Sequence, residues 1–150
     1  MLFFIYEEAL DIARRISLER QVEDKITRCR KRNVFTRKDF VSLGDYDQIG
    51  RALLNLTREG KLIRLGYGLY TKARKNRITG LPMIAAKGGF DQVAKESLNL
   101  LGVKWQPGIA EQNYNAGVTT QIPINTQVLI NDRFNRIIGT DKFKLEVQRN

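Results

Sequence analysis

The sequence of 150 residues has no histidine and a single cysteine, and these two shortages exclude several classes of site. Zinc fingers and most metal centres draw their ligands from histidine and cysteine, and Ser–His–Asp or Cys–His catalysis needs an imidazole. One cysteine cannot form an intramolecular disulfide, which fits a reducing compartment. Cys29 lies at the helical spacing of Val22 and Ile26, so we interpret it as a small core residue. No cofactor is expected.

Long apolar runs are also missing. The longest run, residues 1–6, is far too short to cross a bilayer. Acidic residues follow it and no basic segment precedes it, unlike a secretory signal. Hydrophobic residues still make up 42% of the chain, which is enough to fill a folded core. We therefore expect a folded protein without a membrane partner, located in the cytoplasm.

Acidic residues are scarce in one part of the chain. Residues 19–80 contain 16 Lys or Arg against 7 Asp or Glu. Residues 1–18 have a net charge of −1, and residues 81–150 have a net charge of +2. A charge excess that coincides with one predicted fold unit indicates a surface for a polyanion, and duplex DNA is the polyanion that we expect.

Two helices are predicted at the start of the chain, over residues 2–16 and 19–32. The second helix directs Val22 and Ile26 inward. The first helix has an apolar face that either covers the domain core or forms a homodimer contact, and the pattern leaves both interpretations open. The residues of that face are Leu2, Ile5, Ala9, Ile12 and Ile16.

Residues 34–72 contain the signals of a winged helix-turn-helix. A capping box at Thr36 and Asp39 predicts a short helix, and Asp45 opens a longer helix that ends before Gly60. The segment after this helix alternates in polarity around a Gly-Tyr-Gly turn, which predicts a β-hairpin. Two short helices followed by a hairpin are the elements of this fold.

The outward face of the helix predicted for residues 45–59 offers long polar side chains to the major groove. Arginine can bind guanine there, and glutamine or asparagine can bind adenine. The alternative is a solvated face on which Arg51 pairs with Asp47. Tyr67 is expected at the hairpin tip, where it can contact the DNA backbone or the minor groove. The candidate DNA-binding residues are Arg37, Lys38, Tyr46, Gln48, Arg51, Asn55, Arg58, Arg64, Tyr67, Lys72, Arg74 and Lys75.

Glycine and proline in residues 78–89 predict a connector to a second unit. The expected fold class is α+β, with an N-terminal helix (1–18), a winged helix-turn-helix (19–80) and a small α+β domain (81–150). In that last domain, helices are predicted over 91–101 and 109–115, and strands over 105–107, 127–131, 136–138 and 142–148.

The run RALLNLTREGKLIRLGYGLY, residues 51–70, resembles the N-terminal winged helix of the AbiEi family of antitoxins from type IV toxin–antitoxin systems. Matching positions are Arg51, Ala52, Leu53, Leu56, Gly60, Leu62, Arg64, Leu65, Gly68 and Tyr70. The similarity extends over about residues 20–150, through VFTRKDF at 34–40, SLNLLGV at 97–103, Gln121-Ile122-Pro123 and the strand predicted over 127–131. Residues 1–18 lie outside it.

The resemblance implies a transcriptional repressor that binds inverted repeats in its own promoter. It also implies an antitoxin that counteracts a nucleotidyltransferase-like toxin without a stable complex, and it implies no enzyme activity. Members of the family are expected to continue with further helices where this chain has its basic strand at 142–149, so that the last domain would be shortened here.

Two other classes of function stay open. A small nuclease would need clustered carboxylates, and Asp132 and Glu146 are a weak indication of such a site. Clustering of these two carboxylates in a pocket would favour the nuclease, and their scatter over the surface would exclude it. An RNA-binding or protein-binding module is the other alternative. Readers of single-stranded RNA stack bases on several aromatic side chains, whereas the hairpin offers only Tyr67. We therefore rank duplex DNA first and expect no catalysis.

Overall fold

The computed structural model describes residues 2–120 and 125–149, which form four α-helices and two small β-sheets. The elements are α1 (Leu2–Arg28), β1 (Val34–Phe35), a 3₁₀ helix (Arg37–Phe40), α2 (Tyr46–Arg58), β2 (Leu62–Gly66), β3 (Leu69–Lys75), β4 (Pro82–Ile84), α3 (Gly89–Leu100), β5 (Gln106–Pro107), α4 (Ile109–Asn115), β6 (Gln127–Leu129) and β7 (Glu146–Gln148). The predicted α+β class is confirmed. The motif Gln121-Ile122-Pro123 lies outside the described residues.

Helix α1 is one continuous helix of 27 residues, so the prediction of two helices over 2–16 and 19–32 is wrong. Nothing between the two segments stops a helix, since residues 17 and 18 are serine and leucine rather than glycine or proline. The helix also ends at Arg28 instead of residue 32, because the chain turns there toward β1. Among the described helices, α1 included, none is long and apolar enough to cross a membrane.

Helix α2 forms where the sequence predicted it. The Asp45 carboxylate accepts a hydrogen bond of 2.9 Å from the backbone N–H of Gln48, which caps the first turn. Gly60 follows the last turn with a φ of 79°, a left-handed conformation that glycine adopts without steric cost. The inward side chains of α2, Ile49 and Leu53 among them, are fully buried, as predicted.

The predicted hairpin is the centre of the first sheet, whose strand order is β1-β3-β2. All its pairings are antiparallel, and Tyr70 of β3 faces Phe35 on one side and Arg64 on the other. Strand β4 pairs with the far end of β3, in the register Ala73 with Ile84. The interpretation of residues 78–89 as a plain connector is therefore wrong, because part of this segment extends the sheet.

The first sheet separates two hydrophobic cores. Phe35, Leu62 and Tyr70 face a core built from α1 and α2, and Cys29 packs at its edge as predicted. On the other side of the sheet, Val34, Leu65 and Leu69 pack into a second core, which α3 and the second sheet build. The core therefore crosses residue 80, where the sequence predicted a domain boundary, and the boundary itself stays a prediction.

The second sheet has the order β5-β6-β7, with β6 and β7 parallel. Helices α3 and α4 confirm the two predicted helices, and α4 has the predicted bounds. The strand predicted over 136–138 is wrong, and the one over 142–148 shortens to 146–148. These segments meet through an isolated bridge between Gly139 and Lys144. Ile138 packs into the core, while its neighbour Ile137 is 72% exposed.

Candidate nucleic-acid interface

The outward face of α2 shares two residues, Arg51 and Arg58, with the face that the sequence predicted. The buried residues Ile49, Ala52, Leu53 and Leu56 define the inward direction of the helix. With 100° between successive residues, the positions opposite to them are Asp47, Arg51, Leu54 and Arg58. Arg51 and Arg58 are exposed, and neither forms an ion pair or hydrogen bond with the described residues. The alternative pairing of Arg51 with Asp47 is likewise not formed within that part of the chain. Two cations on this face are thus free to meet an external anion.

Gln48 and Asn55 lie on the flank of α2 that faces α1. A groove of about 580 Å³ separates the two helices here, and both residues line it. The Asn55 amide donates a hydrogen bond of 2.5 Å to the Glu19 carboxylate, so this side chain holds α1 against α2. Gln48 is exposed at the same groove. Arg51 and Arg58 line the groove as well, so all four predicted residues of this helix border it, and Asn55 differs from the other three in being half-buried.

Arg37 is placed beside α2 by a stack of two side chains. Its guanidinium lies 4.6 Å from the centroid of the Tyr46 ring, at the first turn of the helix. Gly50 makes room for it, since a Cβ at that position would lie 2.5 Å from the Arg37 Cζ. A planar cation on an aromatic face keeps its N–H groups directed outward for phosphate. Lys38, the next residue, is exposed.

An ion pair fixes the 3₁₀ helix that carries Arg37. Arg32 donates two hydrogen bonds, of 2.8 and 3.0 Å, to the Asp39 carboxylate, which also accepts the N–H of Thr36 at 2.8 Å. Burial alone would raise the pKa of Asp39, but the hydrogen bonds from Arg32 and Thr36 and the charges of Arg32 and Lys25 outweigh it and lower this pKa. The capping role predicted for Asp39 is confirmed. Its ion pair with Arg32 had no local signal in the sequence.

The hairpin tip presents Tyr67, whose side chain is 79% exposed. Its backbone carbonyl accepts a hydrogen bond of 2.5 Å from Arg136, and Gly139 donates its N–H to the Leu65 carbonyl at 2.6 Å. Arg64, a predicted site residue, is exposed and donates from Nε to the Gly66 carbonyl at 3.2 Å. The second unit therefore holds the tip in place. Sequence reasoning missed Arg136, because its partner lies 69 residues away.

The last three predicted residues lie on β3, from its middle to its far end. Lys72 is half-buried, donates to the carbonyl of Cys29 at the end of α1 and lies 5.9 Å from the centroid of the Phe35 ring. It therefore stabilises the fold. Arg74 and Lys75 are exposed but lie roughly 20 Å along the strand from the hairpin tip. They form a basic surface separate from the hairpin tip.

Carboxylates do not gather into a metal site in the described ranges. No group of three or more His, Cys, Asp or Glu side chains there could hold a metal ion. Glu146 accepts hydrogen bonds from Asn125 and Gln127, at 3.3 and 2.8 Å, and Asp132 is exposed. Within the described residues, the carboxylates of Asp132 and Glu146, which suggested the nuclease alternative, are therefore not part of a metal-binding cluster.

Comparison with the models of protein families gives a match. The model of a family described as "Family of unknown function (DUF6088)" matches residues 21–149, which is most of the chain. No curated protein and no solved structure matches. The matched range contains the whole α2 face and the hairpin but leaves out the first 20 residues.

Proposed function

We propose that this chain, which belongs to the family of unknown function DUF6088, is a winged helix-turn-helix protein that binds duplex DNA and represses transcription. The observation that carries the proposal is the pair of exposed cations, Arg51 and Arg58, on the outward face of α2. An exposed helix with unpaired arginines suits the major groove, where arginine binds guanine O6 and N7.

The neighbouring elements support the same assignment. The 3₁₀ helix and α2 are joined by a short turn, and the hairpin follows α2 directly. The stacked Arg37 can bind a phosphate next to the start of α2, and Tyr67 at the tip can reach the DNA backbone or the minor groove. Phosphate contacts would set the register of the helix, and Arg51 would then select the sequence.

We further propose that the repressor is an antitoxin, in line with its resemblance to the AbiEi family. The operator would be an inverted repeat, and the partner a nucleotidyltransferase-like toxin that is counteracted without a stable complex. Two aromatic side chains of the second unit, Tyr114 and Phe143, are 40% and 50% exposed and supply apolar surface for this second role. The protein would act in the cytoplasm and would not be an enzyme.

The DNA proposal is tested by titrating the full chain onto a duplex from its own upstream region and onto a random duplex, at several salt concentrations. Binding should weaken steeply with salt, because phosphate contacts release counterions. Arg51→Ala should lose about 1–3 kcal/mol on the upstream duplex and little on the random one. The matched control is Arg133→Ala, an exposed arginine of the second unit that should change neither. Equal losses on both duplexes for Arg51→Ala would reduce this residue to a phosphate contact.

The antitoxin proposal needs a separate readout. A chain with Arg51→Ala and Arg58→Ala should lose promoter repression and still rescue cells from the cognate toxin. Circular dichroism should show an unchanged fold, since both side chains are exposed. If rescue disappears together with DNA binding while the chain stays folded, repression and neutralisation are not separable.

A further inference from the structure

Helix α1 carries two apolar faces that point in different directions. In its C-terminal half, Val22 and Ile26 are buried in the first core. In its N-terminal half, Ile5, Ile12 and Ile16 are 63%, 55% and 54% exposed. At 100° per residue, the second face is rotated by roughly 80° from the first. The helix is continuous between the two faces, and the N-terminal face lies exposed while the C-terminal face lies in the core.

The exposed face follows a coiled-coil spacing. Ile5, Ala9, Ile12 and Ile16 succeed one another in steps of four, three and four, which is the pattern of alternating a and d positions. Tyr6 flanks the row and is 63% exposed. We call these five residues the α1 stripe. Monomeric proteins rarely expose contiguous apolar patches above a few hundred Å², so a row of four large side chains indicates a covered surface.

We propose that two copies of this chain pair in antiparallel orientation through the α1 stripe. The steps of four, three and four read the same in both directions, so the stripe is complementary to itself about a two-fold axis between residues 10 and 11. That axis sets Ile5 against Ile16 of the second copy and Ala9 against Ile12 of the second copy. Each small residue of the stripe therefore meets a large one.

The charge pattern of α1 also favours an antiparallel second copy. The acidic residues Glu7 and Glu8 lie in the first half of the stripe, and basic residues follow at 14 and 15 in the sequence. An antiparallel pair sets acidic half beside basic half, whereas a parallel pair would set like beside like and Ala9 against Ala9. The stripe precedes residue 21, where the family match begins, so it lies outside the matched part of the chain. The pairing does not depend on DNA binding.

The oligomeric state of the full chain, measured by analytical ultracentrifugation without DNA, tests the proposal. The wild type should sediment as a dimer of the 17.3 kDa chain. Ile12→Lys should weaken pairing by roughly 100-fold or more, because each dimer would bury two unpaired charges. The matched control is Ile78→Lys, which places the same charge on an isoleucine that is 94% exposed and outside α1, and which should leave the dimer intact. Both variants should keep the melting temperature of the wild-type fold at low protein concentration.

The orientation needs a second measurement. A spin label on Arg20→Cys, in a Cys29→Ala background, should give a separation of about 28 Å along the helix axis for an antiparallel pair. A parallel pair would bring the two labels to roughly the 10 Å spacing of packed helices, and this result would overturn the orientation. A wild type that stays monomeric at high concentration overturns the pairing itself. A monomer that binds phosphatidylglycerol vesicles instead would assign the stripe to a lipid surface. None of these outcomes changes what the duplex titration should show, so the dimer proposal and the DNA-binding proposal are tested independently.

Discussion

Replacing Gly50 with alanine should separate the stability of α2 from its contact with DNA. The new Cβ would lie 2.5 Å from the Arg37 Cζ, 2.7 Å from one terminal nitrogen and 2.8 Å from Nε. Carbon atoms pack at about 3.5–4.0 Å, so the guanidinium must move by about 1 Å or more. The obstacle is the end of a flexible side chain, and Arg37 can leave its stack on Tyr46 without moving the backbone.

The two energetic effects on folding oppose each other. Alanine stabilises a helix interior by about 1 kcal/mol relative to glycine. The lost stack of Arg37 on Tyr46 costs about 0.5–1 kcal/mol. The free energy of unfolding should therefore stay the same or rise slightly, and the melting temperature should change by less than about 3 °C. DNA binding should weaken on every sequence, with a salt slope that is flatter by about one unit for the lost phosphate contact.

Thermal unfolding and duplex titration of the same preparations provide the assay. Arg37→Ala is the matched control, because it should lose the same binding without the gain in helix stability. In the Arg37→Ala background, Gly50→Ala should add the full stabilisation of about 1 kcal/mol and remove no further binding. A Gly50→Ala variant that unfolds several degrees earlier and binds DNA like the wild type would refute the assigned position of Arg37.

Three other substitutions test the supports of the site. Asp39→Asn should lower the free energy of unfolding by about 1–3 kcal/mol at neutral pH. Folding lowers the pKa of Asp39, so its ionised carboxylate stabilises the fold fully above the ordinary carboxyl pKa of about 4, and this stabilisation is lost as the pH falls through the pKa of the folded state. The urea unfolding curves of the wild type and of Asp39→Asn should therefore converge in acid. A difference in unfolding free energy that stays constant with pH would contradict this. Gly66→Ala should cost about 1–3 kcal/mol, since its Cβ would lie 2.6 Å from the backbone oxygen of Ile137, and an unchanged melting temperature would disagree with that contact. Asn55→Ala should cost about 1 kcal/mol of stability through its lost bond to Glu19 and affect both duplexes alike, whereas a loss confined to the upstream duplex would make Asn55 a base reader.

The elements that the sequence predicted well carry their own boundary signals. Helix α2 lies between a capping Asp45 and a terminal Gly60, and both signals act within one turn of the helix. Gly66 and Gly68 likewise predict the position of the hairpin turn from the local sequence alone. Helix α1 has no stop signal at residue 17, so no local feature supported the predicted division into two helices.

The contacts that define the site depend on tertiary partners, which sequence patterns do not show. Lys72 and Arg74 look equivalent in the sequence, yet Lys72 donates a hydrogen bond to the carbonyl of Cys29, whereas Arg74 is exposed. Strand β4 forms because β3 is long enough to receive it, although its own residues resemble a linker. Leu54, 38% exposed beside Arg51, was predictable from the helical period alone and was missed. Which residues bind DNA stays a prediction.

The position of β3 between two cores has a consequence for how such a chain can evolve. Val34, Leu65 and Leu69 belong to the unit before residue 80, but they are buried by α3 and the second sheet. A natural recombinant or an engineered chimera cut after residue 80 would leave these three side chains in water unless the incoming partner covered them equally well. Exchange between relatives should therefore transfer the two halves as one inherited piece.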